Sequence, residues 1–404
     1  MLKGRKKMEL SLSKKIGIIN PSPTLALDDK IKTMKAAGED VIGFGAGQPD
    51  FDTPDYIKQA AINAINDGFT KYTPASGIPE LKKAICAKLL NDNGLTYEPN
   101  QIVVSNGAKH SLVNTFMAIC NPGDEVIVPA PYWVSYPEMI KIADGIPVIV
   151  KPSEGFKVTV DDLKGALTDK TKAVVINSPS NPTGMIYTES ELKAIADFAV
   201  ENDIFVVSDE IYEKLVYGDQ KHVSIASFNE DIKERTIIVN GLSKSHSMTG
   251  WRIGFTAASV KVTKAMANLQ SHASSNPNSI AQKAALAAYL GNDDFVETMK
   301  KEFVKRREYM VERINSIEGL SCQMPDGAFY VMMDISSTFG KEYYGTVINS
   351  SDDFCGCLLD VAKVGLVPGS GFCADNYARL SYATSMENIV NGLDRIEKFM
   401  KKEF

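Results

Sequence analysis

The sequence predicts an α/β protein with a large domain on a mostly parallel, helix-covered sheet and a smaller, discontinuous α+β domain. Three observations carry this expectation. In the middle of the chain, short β-branched runs alternate with helical patterns. Those runs are nearly all apolar, as strands buried on both faces must be. After Gly291 the order changes to longer helices and short strands, the mark of a separate α+β unit.

The elements follow in chain order. Residues 28–37 read as a helix and 41–44 as a strand. The runs at 102–104, 126–128, 173–176, 204–207 and 236–239 read as strands of the large domain, placed at residues 48–288. Between them, residues 189–201 set Leu192, Ile195, Ala196 and Ala199 at helical spacing. Strand, helix, strand at such intervals means right-handed crossovers. Further on, 294–316 and 353–363 read as helices, and 327–333, 364–368 and 378–383 as strands. Residues 1–47 are expected to pack with 289–404 as the small domain.

Composition narrows the function. The 404 residues predict two or three domains, and 44% apolar with 23% charged residues excludes a disordered chain. With 44 basic against 50 acidic residues the net charge is −6, which argues against nucleic-acid binding. No apolar stretch approaches the ~20 residues of a membrane span. The basic residues Lys3, Arg5, Lys6, Lys7, Lys14 and Lys15 precede no apolar run, so a secretory signal is not expected. Six sparse cysteines predict reduced thiols and a cytoplasmic location. Four scattered histidines predict no metal site. Gly43-Phe44-Gly45-Ala46-Gly47 lacks the third glycine of a dinucleotide fingerprint.

In an open parallel sheet, ligands sit beyond the carboxyl ends of the strands. Four predicted strands end in polar groups: Ser105-Asn106-Gly107-Ala108-Lys109, Asn177 to Gly184, Ser208-Asp209-Glu210-Ile211-Tyr212, and Asn240-Gly241-Leu242-Ser243-Lys244. Taken alone, Lys244 is a solvated loop lysine. Beside the weakly charged segment 248–254 it would be desolvated, which favours a neutral, nucleophilic amine. Asp209 reads either as a helix cap or as a buried carboxylate that needs a cation. Tyr212, three residues on, is expected one helical turn away on the same side; its plain reading is a core tyrosine. Gly107 and Ala108 open a helix and offer free N–H groups to a phosphate. Of eight arginines, only Arg252 and Arg379 lie in uncharged surroundings, so each needs a specific partner. One phosphate and one carboxylate would serve.

Lysine, aspartate, tyrosine, phosphate loop and two arginines are the parts of a pyridoxal phosphate site. The chain resembles the class I aminotransferases of fold type I, closest to the bacterial aspartate aminotransferases. The likeness spans nearly the whole length. It is carried by Ala46-Gly47-Gln48-Pro49-Asp50-Phe51, Lys71 to Gly77, Ser105 to Lys109, Ala130 to Tyr136, Asn177 to Gly184, Ser208 to Tyr212, Ser243-Lys244 and Arg379 to Thr384. The resemblance implies transfer of the amino group from L-aspartate to 2-oxoglutarate through a Schiff base on Lys244, in a homodimer with shared sites. By the same resemblance, Lys244 would also move the proton. Asp209 would hold the ring nitrogen, and Tyr212 and Asn181 the ring oxygen. Trp133 would stack on the ring. Gly107, Ala108, Ser243 and Arg252 would hold the phosphate, with Tyr72 reaching it from the second subunit. Arg379 would bind the α-carboxylate, Lys109 the distal carboxylate, and Gly47 would close over the substrate.

Two departures stand out. Many relatives carry Ser or Thr where this chain has Gly241, so Ser243 or backbone groups would substitute. Relatives that also take prephenate carry a lysine where this chain has Asn20, which weighs against prephenate. Broader, aromatic or prephenate specificity, and a lyase on the same fold, remain as alternatives.

Overall fold

The computed structural model describes residues 11–404, so Lys3, Arg5, Lys6 and Lys7 lie outside it. A seven-stranded sheet is built from β1 (Ile102–Ser105), β2 (Glu125–Pro129), β3 (Ile146–Val150), β4 (Thr171–Asn177), β5 (Phe205–Asp209), β6 (Thr236–Gly241) and β7 (Gly254–Ala257). The spatial order is β1-β7-β6-β5-β4-β2-β3. β2 to β6 form parallel ladders, and β7 alone runs antiparallel to both its neighbours. The five runs read from the sequence are β1, β2, β4, β5 and β6. β3, an edge strand with exposed Ile146 and Ile149 and with Pro147 interrupting its apolar pattern, escapes that reading. β7 escapes it because Gly254 and Ala257 bound only two strand-forming residues.

The helices that position the site are α1 (Pro23–Ala36), α2 (Pro79–Asn93), α3 (Ala108–Ile119), α4 (Ser135–Ile142), α5 (Glu189–Glu201), α6 (Asp294–Asn315), α7 (Ser351–Ala362) and α8 (Met386–Lys401). α5 starts at Thr188, whose Oγ1 accepts from Glu191 N while the Glu191 carboxylate accepts from Thr188 N. It buries Leu192, Ile195, Ala196 and Ala199. α1 begins five residues before the expected start, because Pro23 fits the first helical position.

A second sheet holds β8 (Ser321–Cys322), β9 (Tyr330–Asp334), β10 (Val367–Pro368) and β11 (Tyr377–Ser381), antiparallel in the order β10-β11-β9-β8. The single strand expected over 364–368 is two, interrupted at Leu366. Its first half, Val364–Gly365, pairs in parallel with Ile42–Gly43. Phe303, Phe329, Phe354, Leu380 and Phe399 from the helices and strands around this sheet form one apolar cluster. That cluster reaches Tyr212 and Leu215 just beyond β5, so the second sheet packs against the strand ends of the first.

Candidate active site

The carboxyl ends of β4, β5 and β6 open into a cavity of about 740 Å³, roofed by α1 and walled by the start of α3 and by Tyr330 and Arg379 of the second sheet. Asn177, Asp209, Ser243 and Lys244 line it together.

Asp209 ends β5 and is 4% exposed. Tyr136 Oη donates to its Oδ2 at 2.6 Å and Ile211 N to its Oδ1 at 3.3 Å. Burial pushes the carboxyl up to about 6, while the bonds from Tyr136 and Ile211 and the charge of Lys244 pull it down. Lys244 follows β6, and its Nζ donates to Gly47 O at 2.5 Å. Burial, and then the positive charge of Arg252, bring the ammonium down to about 8. Gly47 therefore touches the reactive amine through its backbone.

Tyr212 lines the cavity beside Asp209 as expected, but residues 211–214 form turns rather than a helix. The correction has a local cause: Asp209 Oδ1 ties back to Ile211 N, and such a bond favours a turn. Tyr212 Oη meets Tyr330 Oη at 3.0 Å.

Arg379 on β11 is 2% exposed and lies over the rings of Tyr330, at 4.3 Å, and Phe372, at 5.0 Å. It donates to Asn181 Oδ1 at 2.8 Å and Gly45 O at 3.1 Å, while its Nε has no partner. Both partners are neutral, so this buried cation still wants an anion. Asn181 thus contacts the arginine directly, and the cavity wall gains its position from that bond.

Gly107 caps α3 with φ +86°, and a Cβ there would come within 2.5 Å of Arg252 Nη2. Arg252 donates to Thr249 O and Asn106 O and pairs with no carboxylate among the described residues. At Gly241 a Cβ would press on Gly254 Cα and Ile253 O at 3.0 Å, so a side chain fits this position poorly. Ser243, buried and facing the cavity, stands in the substitute position. Lys109 Nζ lies 4.8 Å over the Trp133 ring. Burial, then Arg252, lowers its pKa. Both residues line the cavity. Tyr72 does not; it is 90% exposed on the outer surface.

Sequence reasoning gave no role to Tyr136, Asn177, Tyr330 or the α1 residues Thr24 and Asp28, all of which line the cavity. Tyr136 and Asn177 lie within quoted motifs, so a signal existed. Tyr330 had none, since it sits in an apolar strand pattern.

The residues present fit pyridoxal phosphate. Asp209 is a buried carboxylate lacking a cation, Ala108 and Arg252 form an anion cradle too tight for a side chain at Gly107, and Lys244 is an amine shifted toward neutrality.

A family model described as aminotransferase class I and II matches residues 39–396. An aspartate aminotransferase of Geobacillus stearothermophilus is 51% identical over 394 residues, covering 97% of this chain and 99% of the relative. Another from Bacillus sp. (strain YM-2) is 50% identical over 396 residues, covering 98% and 100%. The crystal structure of the aspartate aminotransferase from Rhizobium meliloti superposes with a TM-score of 0.94 at 41% identity, covering 98% of this chain and 100% of that one. A strand-end lysine, a buried aspartate and an unpaired buried arginine in one cavity, on this fold and with these relatives, lead to one conclusion: the chain belongs to the class I and II aminotransferases.

Proposed function

We propose that this protein is an aspartate aminotransferase that moves the amino group of L-aspartate to 2-oxoglutarate, giving oxaloacetate and L-glutamate, with pyridoxal phosphate as cofactor. The observation that carries the substrate reading is a pair of cations, Arg379 and Lys109, in the same cavity as Lys244. A dicarboxylic amino acid has one carboxylate for each. The names of the relatives support the same reading.

Pyridoxal phosphate, when bound, supplies an aldehyde that takes up the amino group and a ring that withdraws electrons from the substrate Cα. The chain does the rest. Arg379 would orient the α-carboxylate, and its contacts with the rings of Tyr330 and Phe372 help hold the guanidinium in place. Lys109 would bind the distal carboxylate. Asp209 would keep a proton on the ring nitrogen, and a cation there would draw its carboxyl back below 6. Lys244 Nζ would take the proton from Cα and return it on the other side of the transfer; an amine near pKa 8 suits both steps. Tyr212 and Asn181 would bond the ring oxygen, Trp133 would cover the ring, and Ala108, Gly107, Ser243 and Arg252 would hold the phosphate.

The proposal includes a homodimer in which the partner subunit's Tyr72 reaches this cavity; the near-complete exposure of Tyr72 in the single chain supports it. It also divides the chain into residues 48–288 and residues 1–47 with 289–404. Support comes from the sheets, since the seven-stranded one lies wholly in the first range and the four-stranded one in the second. A cytoplasmic location belongs to the same proposal; no helix among the described residues is long and apolar enough to cross a membrane.

The test is an assay of oxaloacetate formed from L-aspartate. Beyond one equivalent per active site it should appear only with 2-oxoglutarate present, and alanine, tyrosine and phenylalanine should be poorer donors. Repeated turnover to oxaloacetate without an acceptor, or alanine used as well as aspartate, would contradict the reading.

A further inference from the structure

Glu210 follows Asp209 but points away from the cavity. Strand alternation places it on the face of Ser208, and Ser208 Oγ donates to its Oε1 at 2.9 Å. Ser224 Oγ donates to the same oxygen at 2.7 Å, and His222 Nε2 to Oε2 at 3.2 Å. Glu210 is 1% exposed, and its backbone N donates to Val239 O at 2.9 Å, joining the end of β5 to β6. The strand that carries Asp209 is therefore gripped from behind by one carboxylate and three donors.

The grip continues outward. Glu213 accepts from Lys88 on α2 and from Asn93 Nδ2, and Lys88 lies 3.7 Å from Asp92. Burial opposes a charge on His222, but the bond to Glu210 and the charges of Glu210 and Glu213 outweigh it and raise its pKa, with Lys88 working the other way. Tyr97, whose Oη has no partner, also faces this group and feels the charge of Glu210. One acceptor atom from each of Glu210, Glu213 and His222 lies within 4.8 Å of the others. Lys88 already supplies positive charge there, so the cluster reads as an ion network.

An exposed carboxylate would leave this face solvated at no cost. A buried one must be held by donors, and the donors here come from β5 itself and from the 222–224 segment. We propose that Glu210, with His222 and Ser224 as its donors, is a positioning residue that fixes Asp209 against the ring nitrogen of the cofactor. The inference rests on the proposed reading of the cavity, in which Asp209 faces that nitrogen.

The test uses the pyridoxal phosphate-loaded protein and the variants Glu210→Ala and Glu210→Gln. Three quantities are read: kcat per bound cofactor, KM for aspartate, and the midpoint of the pH-dependent absorbance of the bound cofactor. Glu210→Ala should lower kcat by about tenfold or more with KM within about threefold, since Arg379 and Lys109 are untouched. Its absorbance midpoint should rise, because a ring that holds its proton less firmly withdraws fewer electrons from the atoms joined to Lys244 Nζ. Glu210→Gln keeps an acceptor for both serines and should recover most of each change. A merely structural role would reduce the yield of folded protein and leave kcat per cofactor and the midpoint as in wild type; that result overturns the proposal. If Glu210→Ala does not fold, Ser224→Ala and His222→Gln each remove one element of the grip, and an unmoved midpoint in both overturns it equally. A wild-type protein that binds no pyridoxal phosphate would instead overturn the reading of the cavity.

Discussion

Burial drives Lys244 and Asp209 toward each other's proton affinity, to about 8 and about 6, and this pairing sets up the chemistry. At pH 7 an amine of pKa 8 is about one-tenth neutral, against well under a thousandth for an ordinary lysine. Uptake of pyridoxal phosphate by the cofactor-free protein should therefore speed up as pH rises and level off near 8. The measurement is the rate of absorbance growth across pH 6–10, and a rise that continues all the way to pH 10 would show an unshifted lysine. Lys109 allows a second residue-scale prediction. A charge-assisted hydrogen bond is worth about 1.5–3 kcal/mol, so Lys109→Ala should cost aspartate roughly 10- to 100-fold in kcat/KM. Alanine has no distal carboxylate and should lose little; equal losses would remove Lys109 from the substrate site. Much of this was legible in the residues. A polar group at the end of an apolar run marked Asp209, and Lys244 stood out beside a weakly charged segment. Tyr330 was not legible, because a tyrosine in an apolar strand pattern shows nothing of what its hydroxyl meets, whereas Tyr136 at least lay within a motif. Arg306 sits in the charged helix α6, yet its side chain is nearly buried and its Nη1 donates to Asp50 Oδ1 at 2.7 Å.

At the scale of elements, the proposed phosphate cradle depends on how closely β7 and the start of α3 approach. A Cβ at Gly254 would lie 2.3 Å from Ala108 N, inside any tolerable contact. Gly254→Ala should therefore push the α3 start away from Arg252. Overpacking of this kind costs about 1–3 kcal/mol, so thermal denaturation of the loaded protein should show a clearly lower Tm and pyridoxal phosphate should be lost more readily on dialysis. An unchanged Tm with full cofactor retention would mean the approach is not restrictive. α1 shows the opposite arrangement, a roof held by polar ties. Asn20 N and Nδ2 donate to the Glu138 carboxylate at 2.9 and 3.1 Å, and Lys15 pairs with Asp144 at 2.9 Å, all beside α4. Ile31 of α1 packs instead with Val41 and Leu359. The segment thus spans from the first sheet's helices to the second sheet's surroundings, over the cavity. Sequence periodicity found α1 but could not show what it covers, since a helix pattern carries no information on its partner.

For the whole molecule, the strand order explains why one cavity collects residues as far apart in sequence as Asn177 and Arg379. Parallel β4, β5 and β6 deliver Asn177, Asp209 and Lys244 to one edge, and the second sheet brings Arg379 and Tyr330 to face them. The parallel core was legible as repeated apolar runs. The reversed β7 was not, because its four residues Gly254–Ala257 form no such run, and neither was β3, although Ile146–Val150 is apolar, its run broken by Pro147. The architecture converges on one nitrogen, Lys244 Nζ, and the most direct test addresses it. The protein is saturated with pyridoxal phosphate, reduced with borohydride, digested and mapped by mass spectrometry. The account predicts a phosphopyridoxyl group on Lys244 alone; a label on another lysine, or none, would contradict it.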